Sequence, residues 1–146
     1  MSGEQEIRQL NPDRGDAHLV YPVIAELRTH LEREEFIGRY LELCEDGFRM
    51  IALCVDGEFR AAAGFRWIEN LAHGKSLYVA DLVTAQLWRS HGHGAALLNH
   101  LEKLARSEGA QYIRLDSGVQ RKDAHRFYER EGYVFLSQQF VKPLIN

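Results

Sequence analysis

The stretch Trp88–Leu98, WRSHGHGAALL, decides how this chain is read. Before it lies a strand-like run, Leu77 to Thr84 (LYVADLVT). After it, the amphipathic stretch AALLNHLEKLARSEG sets Leu97, Leu98, Leu101, Leu104 and Ala105 on one helical face. Gly92 and Gly94 therefore stand where a strand turns into a helix. The first helical N–H groups have no intrahelical partner, the helix dipole adds partial positive charge, and residues without a Cβ let a phosphate reach the backbone. Arg89 and the Ser90 hydroxyl add side-chain donors. An ordinary strand-to-helix turn with glycine at an unusual φ has the same spacing, so G-x-G alone does not separate the two.

Two other phosphate loops are excluded by their own chemistry. A Walker loop needs Lys and Ser or Thr after its last glycine, and Ala95 and Ala96 follow Gly94. Nucleotide hydrolysis is set aside with that missing lysine. A dinucleotide fingerprint needs a small residue where Leu97 stands, in the first turn of a βαβ unit. What fits is R-x-x-G-x-G, Arg89 to Gly94, directly after a strand and before a helix.

A second block follows at Asp123, DAHRFYEREGY, with Ala124, Phe127 and Tyr128 on a short helix ended by Gly132-Tyr133. Between the blocks lies strand-like YIRLDS, Tyr112 to Ser117. In kind, order and separation the two blocks resemble the coenzyme A pyrophosphate loop and the late tyrosine motif of the GCN5-related N-acetyltransferase family. Together they cover Leu77 to Tyr133, over a third of the 146 residues, and the earlier part fits in pattern only.

The resemblance implies an α/β fold, a mixed and mostly antiparallel central sheet splayed at a parallel strand pair and flanked by helices. It implies acetyl-CoA as cosubstrate, held through Arg89, Ser90, His91, Gly92, His93, Gly94 and Ala95. The backbone of Leu82, Val83 and Thr84 would pair with the pantetheine arm, with the Val83 N–H foremost at the thioester oxygen. A β-bulge would splay this strand from its neighbour and leave those groups to the cofactor. Tyr128 would be the acid beside the sulfur; the alternative is a half-buried tyrosine packed beside Phe127. For the general base Asp116 ranks before Asp81, with Glu69 also near the strand ends and water as a relay. Carboxylates at such places also cap or pair with arginine, and Arg114 and Arg121 are at hand. Two positions depart from the family pattern: Arg121 stands where asparagine is common, so that contact is not carried over, and Ser90 replaces a loop glycine, where its Cβ restricts φ but its hydroxyl can donate. His91 and His93 have no third ligand at recognisable spacing, so no metal is expected.

The rest of the chain bounds the reading. Its length is that of one domain, 1–146, with 45% apolar and 27% charged residues, as in soluble globular proteins. A net charge of −3 gives no basic footprint and argues against nucleic acid as principal partner. The N-terminus MSGEQEIRQL is polar, and no apolar run approaches the roughly 18 residues of a membrane span. A cytoplasmic protein with no membrane partner is expected, its oligomeric state open, a homodimer included. Cys44 and Cys54 read as free thiols, not as a disulfide or a nucleophile.

In chain order, Glu6 to Leu10 predicts a strand ended by Asn11-Pro12. A helix from Asp13 or Asp16 carries Leu19, Val20, Val23, Ile24 and Leu27, with Pro22 warning of a kink or break. A second helix, Glu32 to Cys44, sets Phe36, Ile37, Tyr40, Leu41 and Cys44 on one face. In the family the first two helices and their loop wall the acceptor groove, which offers Tyr21, Phe36 and Tyr40 to substrate, although amphipathic aromatics more often fill a core. Met50 to Val55 and Phe59 to Ile68 predict strands joined by a hairpin at Asp56-Gly57. VFLSQQFVKPLI after Tyr133 predicts one or two terminal strands. The function expected is acetyl transfer from acetyl-CoA to a primary amine of a small molecule, by direct attack in a ternary complex. Transfer to a protein or peptide amine, or non-catalytic acyl-CoA binding, are the alternatives.

Overall fold

The computed structural model describes residues 4–116, 122–137 and 139–145, in two compact units, Met1–Arg114 and Leu115–Asn146. The first contains β1 (Gln5–Gln9), α1 (Arg14–Ile24), α2 (Arg33–Glu45), β2 (Arg49–Val55), β3 (Glu58–Asn70), β4 (Gly74–Thr84) and α3 (His93–Ser107), and β5 (Tyr112–Leu115) ends at its border. The second contains α4 (Lys122–Arg130). One mixed sheet takes the strands in chain order: β1 to β4 pair antiparallel, and β5 lies parallel to β4 across the α3 crossover.

Local sequence explains the joints. Val55 pairs with Glu58, so Asp56-Gly57 is a two-residue turn, and φ values of 52° and 81° give the double left-handed form that matches strand twist. The Asp56 carboxylate also accepts from the Glu4 N–H, tying β1 to this turn. In α1, Pro22 has no N–H for the His18 carbonyl one turn back. Arg33 Nη1 takes that carbonyl at 3.0 Å, and the helix ends three residues after Pro22, at the Ala25 cap. The helix is therefore shorter than its apolar periodicity, and Leu27 lies beyond it.

The core has two layers, one on each face of the sheet. On β2, Met50, Ala52 and Cys54 join the cluster of α1 and α2 residues, among them Val20, Ile37 and Tyr40. The pleat turns Ile51, Leu53 and Val55 to the opposite face, where α3 buries Leu97, Leu98 and Leu101. Burial of each such leucine contributes about 1.5–3 kcal/mol. The small run Ala61-Ala62-Ala63-Gly64 lies across the middle of the sheet, and Gly64 is required there: a Cβ would collide with the Phe48 ring and approach Asp81 Oδ2 to 2.9 Å.

One expectation is corrected. The described residues after Tyr133, 134–137 and 139–145, form no strand. Their apolar residues come in runs without alternation, Pro143 has no N–H to donate, and strand propensity acts only through a partner edge.

Candidate active site

The loop between β4 and α3 is built to leave donors exposed. After a short 3₁₀ turn, Gln86–Trp88, the backbone enters the left-handed region twice, at Ser90 (φ 68°) and at Gly92 (φ 78°). Gly92 caps α3 with no side-chain bond, and the first helical hydrogen bond runs from Ala96 N–H to Gly92 O at 3.0 Å. The N–H groups of His93, Gly94 and Ala95 thus have no partner within the helix and point out of its positive end. Arg89, Ser90 and His91 are exposed beside them. The 3₁₀ turn is pinned from two sides: the Arg60 guanidinium lies 3.5 Å from the Trp88 ring centroid, and Glu26 Oε1 accepts from Gln86 N–H at 2.8 Å.

The two histidines serve the loop differently. His91 Nδ1 contacts the carbonyls of Arg89 (2.9 Å) and Trp88 (3.1 Å), folding its ring back on the loop. His93 is buried, and neither ring nitrogen has a partner among the described residues. Burial holds its pKa below the usual imidazole value, and the charges of His91 and Arg60 act in the same direction. The buried site thus favours the neutral ring. In that form His93 offers an anion its amide, not a charge.

Among the described residues the strand before the loop has an open edge. Gly64 pairs with Asp81 and Phe65 with Val79, so Ala80 is a bulge in β4. Beyond it Ala62 pairs with Val83 and Ala61 with Thr84, and Ala85 N–H donates to Arg60 O at 2.8 Å. Antiparallel alternation then turns the Val83 backbone toward β3, and the N–H and C=O groups of Leu82 and Thr84 toward the other edge. The Val83 N–H, expected foremost at a thioester, therefore faces β3, and those of Leu82 and Thr84 face the other edge. On that other edge β5 has four residues against eleven in β4; Gln111 N–H to Lys75 O, 2.9 Å, sets its start beside that of β4. Leu82 to Thr84 extend past its last residue.

Asp81 sits at the bulge and is held by Arg28 from the connector after α1. Arg28 Nε and Nη2 lie 2.8 and 2.7 Å from Asp81 Oδ1, and Nη2 also donates to the Ala80 carbonyl at 3.1 Å. Both guanidinium contacts fall on Oδ1. The pair borders a cavity of about 280 Å³ between the α1–α2 connector, α2 and the sheet. Phe36 and Tyr40 are buried and also line it. Tyr40 donates to Asn11 O and Tyr21 to Leu31 O, so both phenols have structural bonds. Burial raises the Tyr40 pKa. The connector residues Glu26, Arg28 and His30, and Arg39 of α2, are absent from the sequence reading: Arg28 and Asp81 are 53 positions apart, and neither sits in a pattern that marks the other.

The second unit contains the remaining candidates. Tyr128 lies on α4, half-buried, with ring centroids 5.3 Å from Phe127 and 6.1 Å from Tyr133. Gly132, at φ 94°, ends the helix turn, and Tyr133 N–H returns to Tyr128 O at 2.9 Å. Asp116 is exposed just after β5. Ser117 and Arg121, the position that departs from the family asparagine, lie outside the described residues. Among the described residues no group of three or more His, Cys, Asp or Glu side chains could hold a metal, and no helix is long and apolar enough to cross a membrane.

Comparison with known proteins bears on this geometry. Residues 15–133 match the acetyltransferase (GNAT) family. The chain is 39% identical over 127 residues to the uncharacterized N-acetyltransferase YhdJ of Bacillus subtilis, covering 85% of this chain and 89% of that protein. It is 30% identical over 132 residues to an aminoalkylphosphonate N-acetyltransferase of Salmonella typhimurium, covering 88% and 86%. A solved aminoglycoside N-acetyltransferase in complex with CoA superposes at TM-score 0.86 over 98% of this chain and 96% of its own; at 11% identity that likeness is one of fold.

Proposed function

Because this chain belongs to the acetyltransferase (GNAT) family and is an N-acetyltransferase, we propose that it transfers an acetyl group from acetyl-CoA to a primary amine of a small molecule, by direct attack in a ternary complex. Residues 1–146 act as one domain in this reading, since the family match runs across both units. The observation that carries it is the junction of β4 and α3, where an outward strand edge leads into uncapped helix amides.

Acetyl-CoA supplies an activated acyl group. The N–H groups of His93, Gly94 and Ala95, with Arg89 and the Ser90 hydroxyl, hold its diphosphate. At the thioester Leu82 offers the oxygen-binding amide in place of Val83, a reading supported by its facing away from β3, and Thr84 continues the pairing along the same edge. The cavity favours Asp81 over Asp116 as base: its Oδ2 takes the ammonium proton, directly or through water, while Arg28 fixes Oδ1. Tyr128 gives a proton to the departing thiolate. Direct attack is favoured over an acyl-enzyme because Cys44 and Cys54 are buried and burial raises both thiol pKa values. Aminoalkylphosphonates, from the Salmonella relative, and aminoglycosides are the acceptor classes to compare first.

The test is a free-thiol assay with acetyl-CoA across a panel of amines and peptides, repeated with Tyr128→Phe. That variant keeps the ring and loses the phenol, so kcat should fall about 10²-fold with coenzyme A affinity unchanged. Unchanged turnover would assign the proton to another group. Binding of acetyl-CoA by wild type with no amine or peptide acetylated would replace the enzyme with an acyl-CoA-binding module.

A further inference from the structure

We infer that the amine accepted in the α1–α2 cavity carries an acidic group, a carboxylate, sulfonate, phosphate or phosphonate, on a partly apolar body. This inference rests on the acetyltransferase reading above and specifies its acceptor. The cavity walls are apolar, with Ile24, Leu31, Phe36, Leu43, Phe48 and Met50 around about 280 Å³, the size of a small molecule. The charged lining is unbalanced: Arg28 and Arg39 stand with one carboxylate, Asp81, and the His30 ring lines the cavity beside them.

That carboxylate is already engaged. Arg28 holds Asp81 Oδ1 through Nε and Nη2, at 2.8 and 2.7 Å, so these two charges compensate each other. Arg39 and His30 are left over. Arg39 Nη2 lies 3.5 Å from Glu35 Oε2 one turn back, where both side chains are about half exposed, and Glu35 does not line the cavity. A contact of that length on an exposed helix face does not hold a guanidinium.

A ligand with several ammonium groups would bring more positive charge to a lining that already has an excess. An amine with one acidic group fits both ends. Its acid meets the planar donors of Arg39 and the ring of His30, and its amine reaches Asp81 at the bulge, one residue before the Leu82 amide where transfer is proposed. The apolar walls between suit a partly apolar body.

The test uses acceptors matched in body and different in terminal charge: taurine, ethanolamine and ethylenediamine on two carbons, and 6-aminohexanoate, hexylamine and hexane-1,6-diamine on six. With wild type and acetyl-CoA, kcat/KM should favour the acidic member of a set over its diamine by about tenfold or more. Arg39→Gln should cut the acidic-to-neutral ratio about tenfold through KM, and Arg39→Lys, which keeps the charge but loses the planar fork, should fall between wild type and Arg39→Gln. Coenzyme A affinity by calorimetry reports that each variant is folded. Preference for the diamine or the neutral amine, or a ratio unmoved in Arg39→Gln, overturns the acidic acceptor and leaves the acetyltransferase intact. Acetyl-CoA binding with no amine acetylated overturns both.

Discussion

In the proposed function the β4–α3 loop and the α1–α2 cavity would bind by different means. In the loop the donors are backbone amides, fixed by two left-handed residues and an uncapped helix, all within the few residues from Ser90 to Ala95. In the cavity the polar groups are side chains from three elements, brought together by contacts such as Arg28 to Asp81 across 53 positions. Backbone recognition depends on φ and tolerates most changes of side chain. Side-chain recognition reverses that dependence. One constant cosubstrate suits the first kind of site, and a variable acceptor suits the second.

Gly92→Val tests the loop and carries the largest expected effect. The space beside Gly92 is open, with nothing within 4 Å of an added Cβ, so the fold should survive and the damage should fall on the backbone. A β-branched residue at φ 78° costs about 1–2 kcal/mol, and each displaced amide–phosphate bond about 1.5–3 kcal/mol. A backbone that relaxes from that φ loses bonds in place of bearing the strain, so two displaced amides, at least about 3 kcal/mol, weaken coenzyme A by about a hundredfold or more in calorimetry. Unaltered affinity in a folded variant, judged by circular dichroism, would remove the loop from the site.

Asp81→Asn tests the cavity. Asparagine still offers an oxygen to Arg28 but takes no proton, so coenzyme A affinity should hold while kcat/KM for the amine falls about 10- to 100-fold near neutral pH. The sign of the pH response discriminates. An alkyl ammonium loses its own proton as pH rises toward about 10.4, so a base defect should shrink in alkaline buffer. A constant deficit at all pH would make Asp81 a positioning residue for Arg28. A coenzyme A defect as large as that of Gly92→Val would break the division between the two regions.

The same division explains what could be read without coordinates. The loop was legible because its chemistry is local: glycine spacing, a strand before and an amphipathic helix after are all written within Leu77 to Ser107. The Asp56-Gly57 turn was legible for the same reason. Val83 shows the limit. Which amide faces outward depends on the ladder to β3 and the bulge at Ala80, and a one-residue change in register reverses every face. Arg28, His30 and Arg39 carry no local pattern, since the chain brings them to one cavity with Asp81 only by folding the connector and α2 onto the sheet. Pro22 was read as a possible break but not as the reason Arg33 finds the His18 carbonyl.

Ser90→Gly should have the smallest effect, and it separates two contributions that the loop combines. Serine at φ 68° bears the steric cost of the left-handed region, about 1–2 kcal/mol, which glycine removes. Glycine also loosens the unfolded chain, which returns about 0.4–1 kcal/mol of that gain. The net should be a stabilisation of a few tenths to about 1 kcal/mol, a rise in Tm of about 1–3 °C. The hydroxyl disappears in the same substitution. If it donates to the diphosphate, coenzyme A affinity should drop about three- to tenfold while stability rises, because the loss of a charge-assisted donor exceeds any benefit from relaxed backbone. Melting and calorimetry on one variant would then move in opposite directions. Affinity that rises with stability would mean that Ser90 contributes only strain, and that Arg89 and the amides of His93, Gly94 and Ala95 suffice to hold the phosphates.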